Sequence, residues 1–580
     1  MQIKLKCNSF FTVCFLVFLV SGCKSNSTAK KVECSDSVST FEMNDEHFSQ
    51  PYIDIQEKRE LPTEHTYVHG GFKNTDTKFS IYFPSKASYQ GRFFQYITPM
   101  PMNEFVSQNA QGEDNKIKFS LENGAYFIET NGGGSGDGDK SITAYRANAA
   151  VASYSRSIAN EIYGTCGRAY GYAFGGSGGA YRTIGGMENT RGVWDGAVPY
   201  VLGSPMAIPN VFSVRMYAMR VLEGKWEQIV DAIEPGGSGD PFRGLTEEEK
   251  NALLEVTRLG FPMDAWYTHD ILDMHGLIAL FPGIKAIDPT YFSDFWSKPG
   301  YEGFNPPESL KNALIEHKVK IKNVFYADDL IGSNFSDVLK IGESHGLADD
   351  AFKALSKNAS GLPVLIELES IPNKNTLGAD VYLLTDSSTK QPIGVSKFID
   401  NYIVVSADPT IGGSPEVLRK LRAGMEVLVD NKDILALQTY HRHQVPVSGY
   451  PVWDQFRQSN GEPIYPQRPM LLGPMFTEWT AGTIPTGKFS GKMIVLSNLF
   501  DTEAYPWQGD WYLEQAQNEH GEKLNENLRL WYTERANHHD GSKQVIPTQT
   551  VSYIGVLQQA LLDLSQWVEK GDVPADTTSY

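Results

Sequence analysis

Between residues 65 and 205, short apolar runs alternate with longer stretches of helical spacing. HTYVHGGF and KFSIYFP, within residues 65–84, read as early strands. RFFQYIT at 92–98 is a further strand, closed by the Pro/Met loop PMPMNEF. AYFIET at 125–130 is another, closed by NGGGSGDGD. Residues 141–163 then bring Ile142, Tyr145, Ala149, Ala152, Ile158 and Ile162 to one face at helical spacing. A strand at 172–175, a glycine-rich turn, a helix and a strand at 195–202 follow. This strand–helix–strand succession predicts an α/β fold: a mostly parallel sheet with helices on both faces.

The rhythm breaks over residues 206–470. That insertion opens with helical patterns (VFSVRMYAMRVL, TEEEKNALLEVTRL) and passes through aromatic, Pro-rich loops. It then turns to strand-like runs (LPVLIELES, ADVYLLTD, NYIVVSA) and a helix at PEVLRKLRA. The parallel pattern resumes with KMIVLSN at 492–498, a helix near 508–518, LRLWYTE at 528–534 and a last helix near 550–569. The expected organisation is a catalytic domain split between 51–205 and 471–580 around a lid-like insertion of mixed helix and strand. An insertion so placed commonly shapes an active site.

The first residues carry a different pattern. Lys4 and Lys6 precede an apolar stretch from Phe10 to Val20. A membrane-spanning helix needs about 20 such residues, so the stretch reads as a secretory signal. It ends in Leu19-Val20-Ser21-Gly22-Cys23, which resembles a bacterial lipoprotein cleavage box. The expectation is a signal peptide over 1–22, lipidation of Cys23 and a polar tether over 23–50; the alternative is an ordinary signal with an incidental cysteine. This puts the protein in the bacterial cell envelope, touching the membrane through its lipid anchor only. Cys34 and Cys166 then remain as thiols that can pair in an oxidising compartment. The net charge of -18, with no basic run, argues against nucleic-acid binding.

The chemistry concentrates at Gly175-Gly176-Ser177-Gly178-Gly179, between the strand YGYAF and the helix AYRTIGGMENT. This is a G-x-S-x-G nucleophile elbow in its proper context, and small residues let the neighbouring backbones approach the strained turn. The same letters in Gly236-Gly237-Ser238-Gly239 read only as a turn. The Gly178 N–H is a candidate oxyanion donor, and Met100 or Met102 can supply a second, since Pro99 and Pro101 have no N–H. A serine hydroxyl needs a base, and the base needs an orienting acid, in the chain order Ser, Asp or Glu, His. Asp501 follows a late apolar strand and fits the acid, with Glu503 as the alternative. His538 fits the base, with His539 as the alternative. No cofactor is required and no metal site is expected.

GYAFGGSGGAYRTIGGMENTRGVWDGAVPYVLGSP resembles the elbow region of the tannase and feruloyl esterase group of α/β-hydrolases, including the Asp195-Gly196 pair that opens the next strand. GRFFQYIT, AYFIETNGGG and GKMIVLSNLFD are similar in kind and order. The resemblance covers roughly residues 65–205 and 490–545. It implies an ester-hydrolysing α/β-hydrolase fold whose lid selects the substrate. It also implies a cysteine before the serine and another after the histidine, joined as a bridge; here Gly176 and His539 occupy those places. The group's lid often binds calcium, and no calcium loop is evident in this sequence.

Other features have both plain and functional readings. Tyr440-His441-Arg442-His443 puts two histidines on one strand face, where they could hold a metal, contact substrate or serve as structural hydrogen-bonding groups. Arg182 could lie under the site or pair with Glu188. Tyr291, Phe292, Phe295, Trp296 and Tyr301 could wall a substrate pocket or form the insertion's core. The expected function is hydrolysis of small or oligomeric carboxylic esters through an acyl-enzyme, including aryl or plant-phenolic esters. A peptidase or acyltransferase with the same triad, and a non-catalytic binding lipoprotein, are the rival readings.

Overall fold

The computed structural model describes residues 45–272, 275–331, 361–385, 389–409, 412–447, 450–544 and 546–576. The signal segment, Cys23, Cys34 and most of the tether lie outside the described residues. Cys166 is disulfide-bonded, and every other cysteine of the chain lies outside them. Among the described residues, no helix is long and apolar enough to cross a membrane.

Seven strands precede the insertion: β1 Pro51–Arg59, β2 His65–Phe72, β3 Lys78–Phe83, β4 Arg92–Tyr96, β5 Ala125–Thr130, β6 Tyr170–Gly176 and β7 Gly196–Tyr200. Six lie within it: β8 Glu316–Tyr326, β9 Pro363–Leu368, β10 Asp380–Leu384, β11 Lys390–Ile399, β12 Tyr402–Ser406 and β13 Glu426–Asp430. Two follow: β14 Lys492–Asn498 and β15 Leu528–Thr533. The main sheet has the order β1-β2-β3-β5-β4-β6-β7-β14-β15. β1, β2, β3 and β5 pair antiparallel. From β5 to β15 every neighbouring pair is parallel. The mostly parallel sheet expected from the sequence is present. The edge strand β1, rich in exposed polar residues, was not foreseen.

Period-two alternation separates the sheet's two faces. On β4, Phe93 enters one core and Phe94 the other. On β14, Met493 and Val495 face one way, Ile494 and Leu496 the other. The first core holds the long helix Ala147–Tyr163 and the elbow helix Gly178–Asn189 against the sheet. The second holds the last helix Ile554–Lys570, through Leu557, Leu561, Leu564 and Trp567. Strand order reverses between β4 and β6, because β5 lies outside β4 while β6 continues on its other flank. Such a reversal opens a crevice at the strands' carboxyl ends, where α/β proteins place ligands.

The insertion consists of two parts. Its helical part shares the first core, through residues such as Phe212, Trp266, Tyr291, Leu435 and Trp453. Its strands close into a six-stranded antiparallel barrel, β10-β11-β12-β9-β8-β13. The barrel has its own core of small aliphatics, among them Val319, Ile321, Ile366, Val381, Ile403 and Val429. The alternation KVKIK of β8 points Val319 and Ile321 inward and the lysines outward.

Leu496 is fully buried between β7 and β15. Leu496→Ala is expected to destabilise the sheet domain by about 2–5 kcal/mol, read from the shift of its urea unfolding transition.

Candidate active site

Ser177 sits between β6 and the elbow helix with φ 54° and ψ −121°, a conformation that L-residues adopt rarely and at functional turns. Its backbone is pinned on both sides. The Ser177 N–H donates to the Tyr200 carbonyl at 3.1 Å, and the Ser177 carbonyl accepts from Ala180 N at 2.9 Å. The surrounding glycines follow from crowding. A Cβ on Gly175 would stand 2.5 Å from the Ile97 carbonyl oxygen, and one on Gly179 would collide with that same oxygen. A Cβ on Gly178 would strike the Pro99 carbonyl, and one on Gly176 the Tyr200 ring. Gly178 opens the helix, so its N–H has no intrahelical acceptor. The loop of residues 98–103 crosses above this turn, fixed in part by Thr98 Oγ1 donating to the Met100 carbonyl at 2.7 Å.

Asp501 follows β14 and is fully buried. Its Oδ1 accepts the backbone N–H groups of Glu503 and Ala504, both at 2.8 Å. That fork orients the carboxylate toward His538, whose Nδ1 lies 2.9 Å from Asp501 Oδ2. His538 follows β15, and its loop is tied down by Asn498 Nδ2 donating to the Asn537 carbonyl at 2.7 Å. Tyr553 also donates, to the His538 carbonyl at 3.2 Å. The Glu503 carboxylate stands 3.5 Å from the other ring nitrogen, Nε2. Burial disfavours the imidazolium, but the Asp501 and Glu503 carboxylates outweigh it and raise the His538 pKa to about 9.

The structure therefore joins His538 to Asp501, and gives Glu503 a place on the opposite side of the same ring. His539 packs its ring against Gly541 and makes no hydrogen bond to Asp501. Ser177 Oγ makes no hydrogen bond to His538 within the described residues; such bonds are often long before substrate binds.

Three residues that the sequence did not single out link the elbow to the histidine loop. The Tyr200 ring fills the space a Cβ on Gly176 would take, and its hydroxyl donates to Asp540 Oδ2 at 2.8 Å. Lys116 Nζ approaches the same oxygen at 3.6 Å and lies over the Tyr96 ring. A glycine where the resemblance implies cysteine was the available signal: the missing side chain is replaced by a ring from the next strand.

Other sequence candidates fall elsewhere. Tyr440–His443 is a buried 3-10 turn rather than a strand. His441 bonds Glu255 at 2.7 Å and Ser213 at 3.0 Å, and Arg442 pairs with Glu255. His443 stacks on Tyr301. This region is a structural network within the insertion, where Tyr291, Phe292 and Phe295 are core. Arg182 does not pair with Glu188, which instead accepts from Thr486 N, Gly487 N and the Tyr512 hydroxyl.

No family model matches the chain, and no curated protein sequence matches it. Among solved structures it is similar to a tannin acyl hydrolase from Aspergillus niger, with 14% identity over 93% of this chain and 88% of that one, and a TM-score of 0.37. It is similar also to feruloyl esterase B from Aspergillus oryzae, with 11% identity over 91% and 88% of the two chains and a TM-score of 0.35. A siderophore hydrolase from Aspergillus fumigatus has 9% identity over 85% and 95%, with a TM-score of 0.31.

Tyr200→Phe removes the hydroxyl but keeps the ring. It is expected to cost about 1.5–3 kcal/mol in chemical denaturation, the worth of one hydrogen bond to a partly buried carboxylate.

Proposed function

We propose that the protein is a serine hydrolase of carboxylic esters that works through an acyl-enzyme, with Ser177 as nucleophile, His538 as base and Asp501 as its orienting acid. The observation that carries this reading is the buried imidazole held by Asp501 at 2.9 Å, together with a strained serine at the carboxyl end of the sheet. In the first half-reaction Ser177 Oγ attacks the ester carbonyl while its proton passes to His538 Nε2. The negative charge gathers on the carbonyl oxygen, and the Gly178 N–H is the donor nearest to hand. The tetrahedral centre then expels the alcohol, which takes the proton from His538. Water repeats the sequence, releasing the acid and restoring Ser177. Throughout, Asp501 stabilises the imidazolium. The substrate is a small or oligomeric ester, with aryl and plant-phenolic esters the first to try. The N-terminal pattern supports attachment to the cell envelope through a lipid on Cys23.

A fluorophosphonate probe tests the nucleophile. Wild type should label, Ser177→Ala should not, and Ser177→Ala should lose about 10⁴-fold or more of kcat on p-nitrophenyl esters. Labelling that survives Ser177→Ala would assign the reaction to another residue. Palmitate incorporation that disappears in Cys23→Ser tests the anchor.

The base must be neutral to accept a proton, and the carboxylates beside it hold the proton on until about pH 9. kcat/KM should therefore rise with pH along a limb centred near 9. Glu503→Gln removes one of the charges that raise this pKa and should move the limb to lower pH. A limb that stays in place in Glu503→Gln would mean that Glu503 does not set the basicity of His538.

A further inference from the structure

A cavity of ≈ 950 Å³ lies beside the elbow helix, lined by Pro101, by the glycine loop after β5 and by Arg182. Its remaining wall comes from two helices: Leu280 belongs to the insertion helix His275–Ile287, and Phe476 and Trp479 belong to Leu472–Ala481, just past the insertion. The second of these packs close on the elbow helix, since a Cβ on Gly185 would collide with the Ala481 carbonyl. Ser177 and His538 do not line the cavity. It neighbours them through Pro101, which belongs to the loop crossing the nucleophile turn, and through Arg182, five residues along the helix that Ser177 begins.

Arg182 is the unexplained group. Its side chain is 4% exposed, and Nε and Nη1 are buried with no hydrogen-bond partner among the described residues. Burial alone acts on its pKa, pushing it down to about 10, with no carboxylate opposing. An uncompensated buried guanidinium is costly to a fold. The acids nearby are committed elsewhere. Asp139 also lines the cavity but binds Arg146 at 2.6 Å and Ser141. Glu478 binds Lys140, a second cation of the lining, at 3.1 Å. The glycine loop leaves the guanidinium its room, because a Cβ on Gly132 would lie 3.2 Å from Arg182 Nη1. The site thus offers a buried guanidinium at one end and apolar or aromatic walls at the other.

We propose that this cavity is a substrate subsite for a carboxylate, so that the preferred esters carry a free carboxylate on an apolar acyl or alcohol group. Guanidinium and carboxylate match in charge and in hydrogen-bonding capacity. The ligand would supply the partner that the chain does not. The kinetic consequence rests on the ester-hydrolase reading; the binding consequence does not.

Two measurements on the full chain separate these. In calorimetry, wild type should bind 4-phenylbutyrate and bind neutral 4-phenylbutanamide about tenfold or more weakly. Arg182→Met should lose that difference while unfolding at no lower temperature, since it removes an unpaired buried charge. Arg182→Lys, which keeps charge without the fork, should lie between. In kinetics, mono-p-nitrophenyl adipate should exceed p-nitrophenyl hexanoate in kcat/KM by about tenfold, and the ratio should fall toward one in Arg182→Met. Equal binding of acid and amide by wild type, no binding of either, or preference retained in Arg182→Met would overturn the subsite. So would binding of inorganic phosphate with no binding of the carboxylate. Carboxylate binding through Arg182 with neither ester hydrolysed would uphold the subsite and overturn the esterase reading alone.

Discussion

The carbonyl oxygen of Ile97 occupies the space that a side chain on either Gly175 or Gly179 would need. Two strands that neighbour each other in the parallel sheet, β4 and β6, are thereby brought into backbone contact beyond their last ladder bond. The position of Ser177 depends on this contact. It sets the height of the loop over Ser177, and it encloses the turn in which Ser177 holds its positive φ. Holding such a residue costs about 1–3 kcal/mol, so the conformation persists only because β7, the elbow helix and that loop all bear on it. Similar crowding means that Gly175, Gly178 and Gly179 cannot take even a methyl group without moving main chain.

Much of this was legible in the residues. The strands of the parallel sheet announced themselves as apolar runs, because both faces are buried and little polar interruption is tolerated. The elbow was legible because steric demand leaves few letters to choose from. Asp501 and His538 were readable from their places after β14 and β15. What the chain order could not convey was geometry between distant segments. Glu503 and Asp501 stand two residues apart and look like rivals for one role, yet they flank opposite nitrogens of one ring. Tyr200 and Asp540 are 340 positions apart, and neither has a local pattern that marks it. The YHRH motif misled in a different way, because alternation suggests a strand only where the backbone is extended, and here it is a tight helical turn. The barrel's closure was equally hidden, since register between strands leaves no trace in any single one.

Charge distribution ties these parts together. The insertion neutralises its buried cations with buried acids: Glu255 serves Arg442, and Glu302 serves Arg220. The main sheet does the opposite at His538, gathering two carboxylates around one imidazole. Arg182 departs from both patterns, as a buried cation without any protein acid. Set against Arg92, Arg220 and Arg442, buried cations each paired with an acid, that exception is informative about what enters from outside.

The barrel's ends meet. Glu316 at the start of β8 pairs with Asp430 at the end of β13, and Asn431 clasps Ile315 just outside, its Oδ1 accepting from Ile315 N at 2.7 Å. A whole folded module therefore enters and leaves the chain through a gap one strand spacing wide. With its core closed on itself and no open sheet edge, it is joined to its host much as a bead is threaded on a short loop. The helical layer beneath keeps both ends of that loop anchored at a single point. Because the barrel's core is its own, that single junction separates its packing from the sheet, the elbow and the histidine loop.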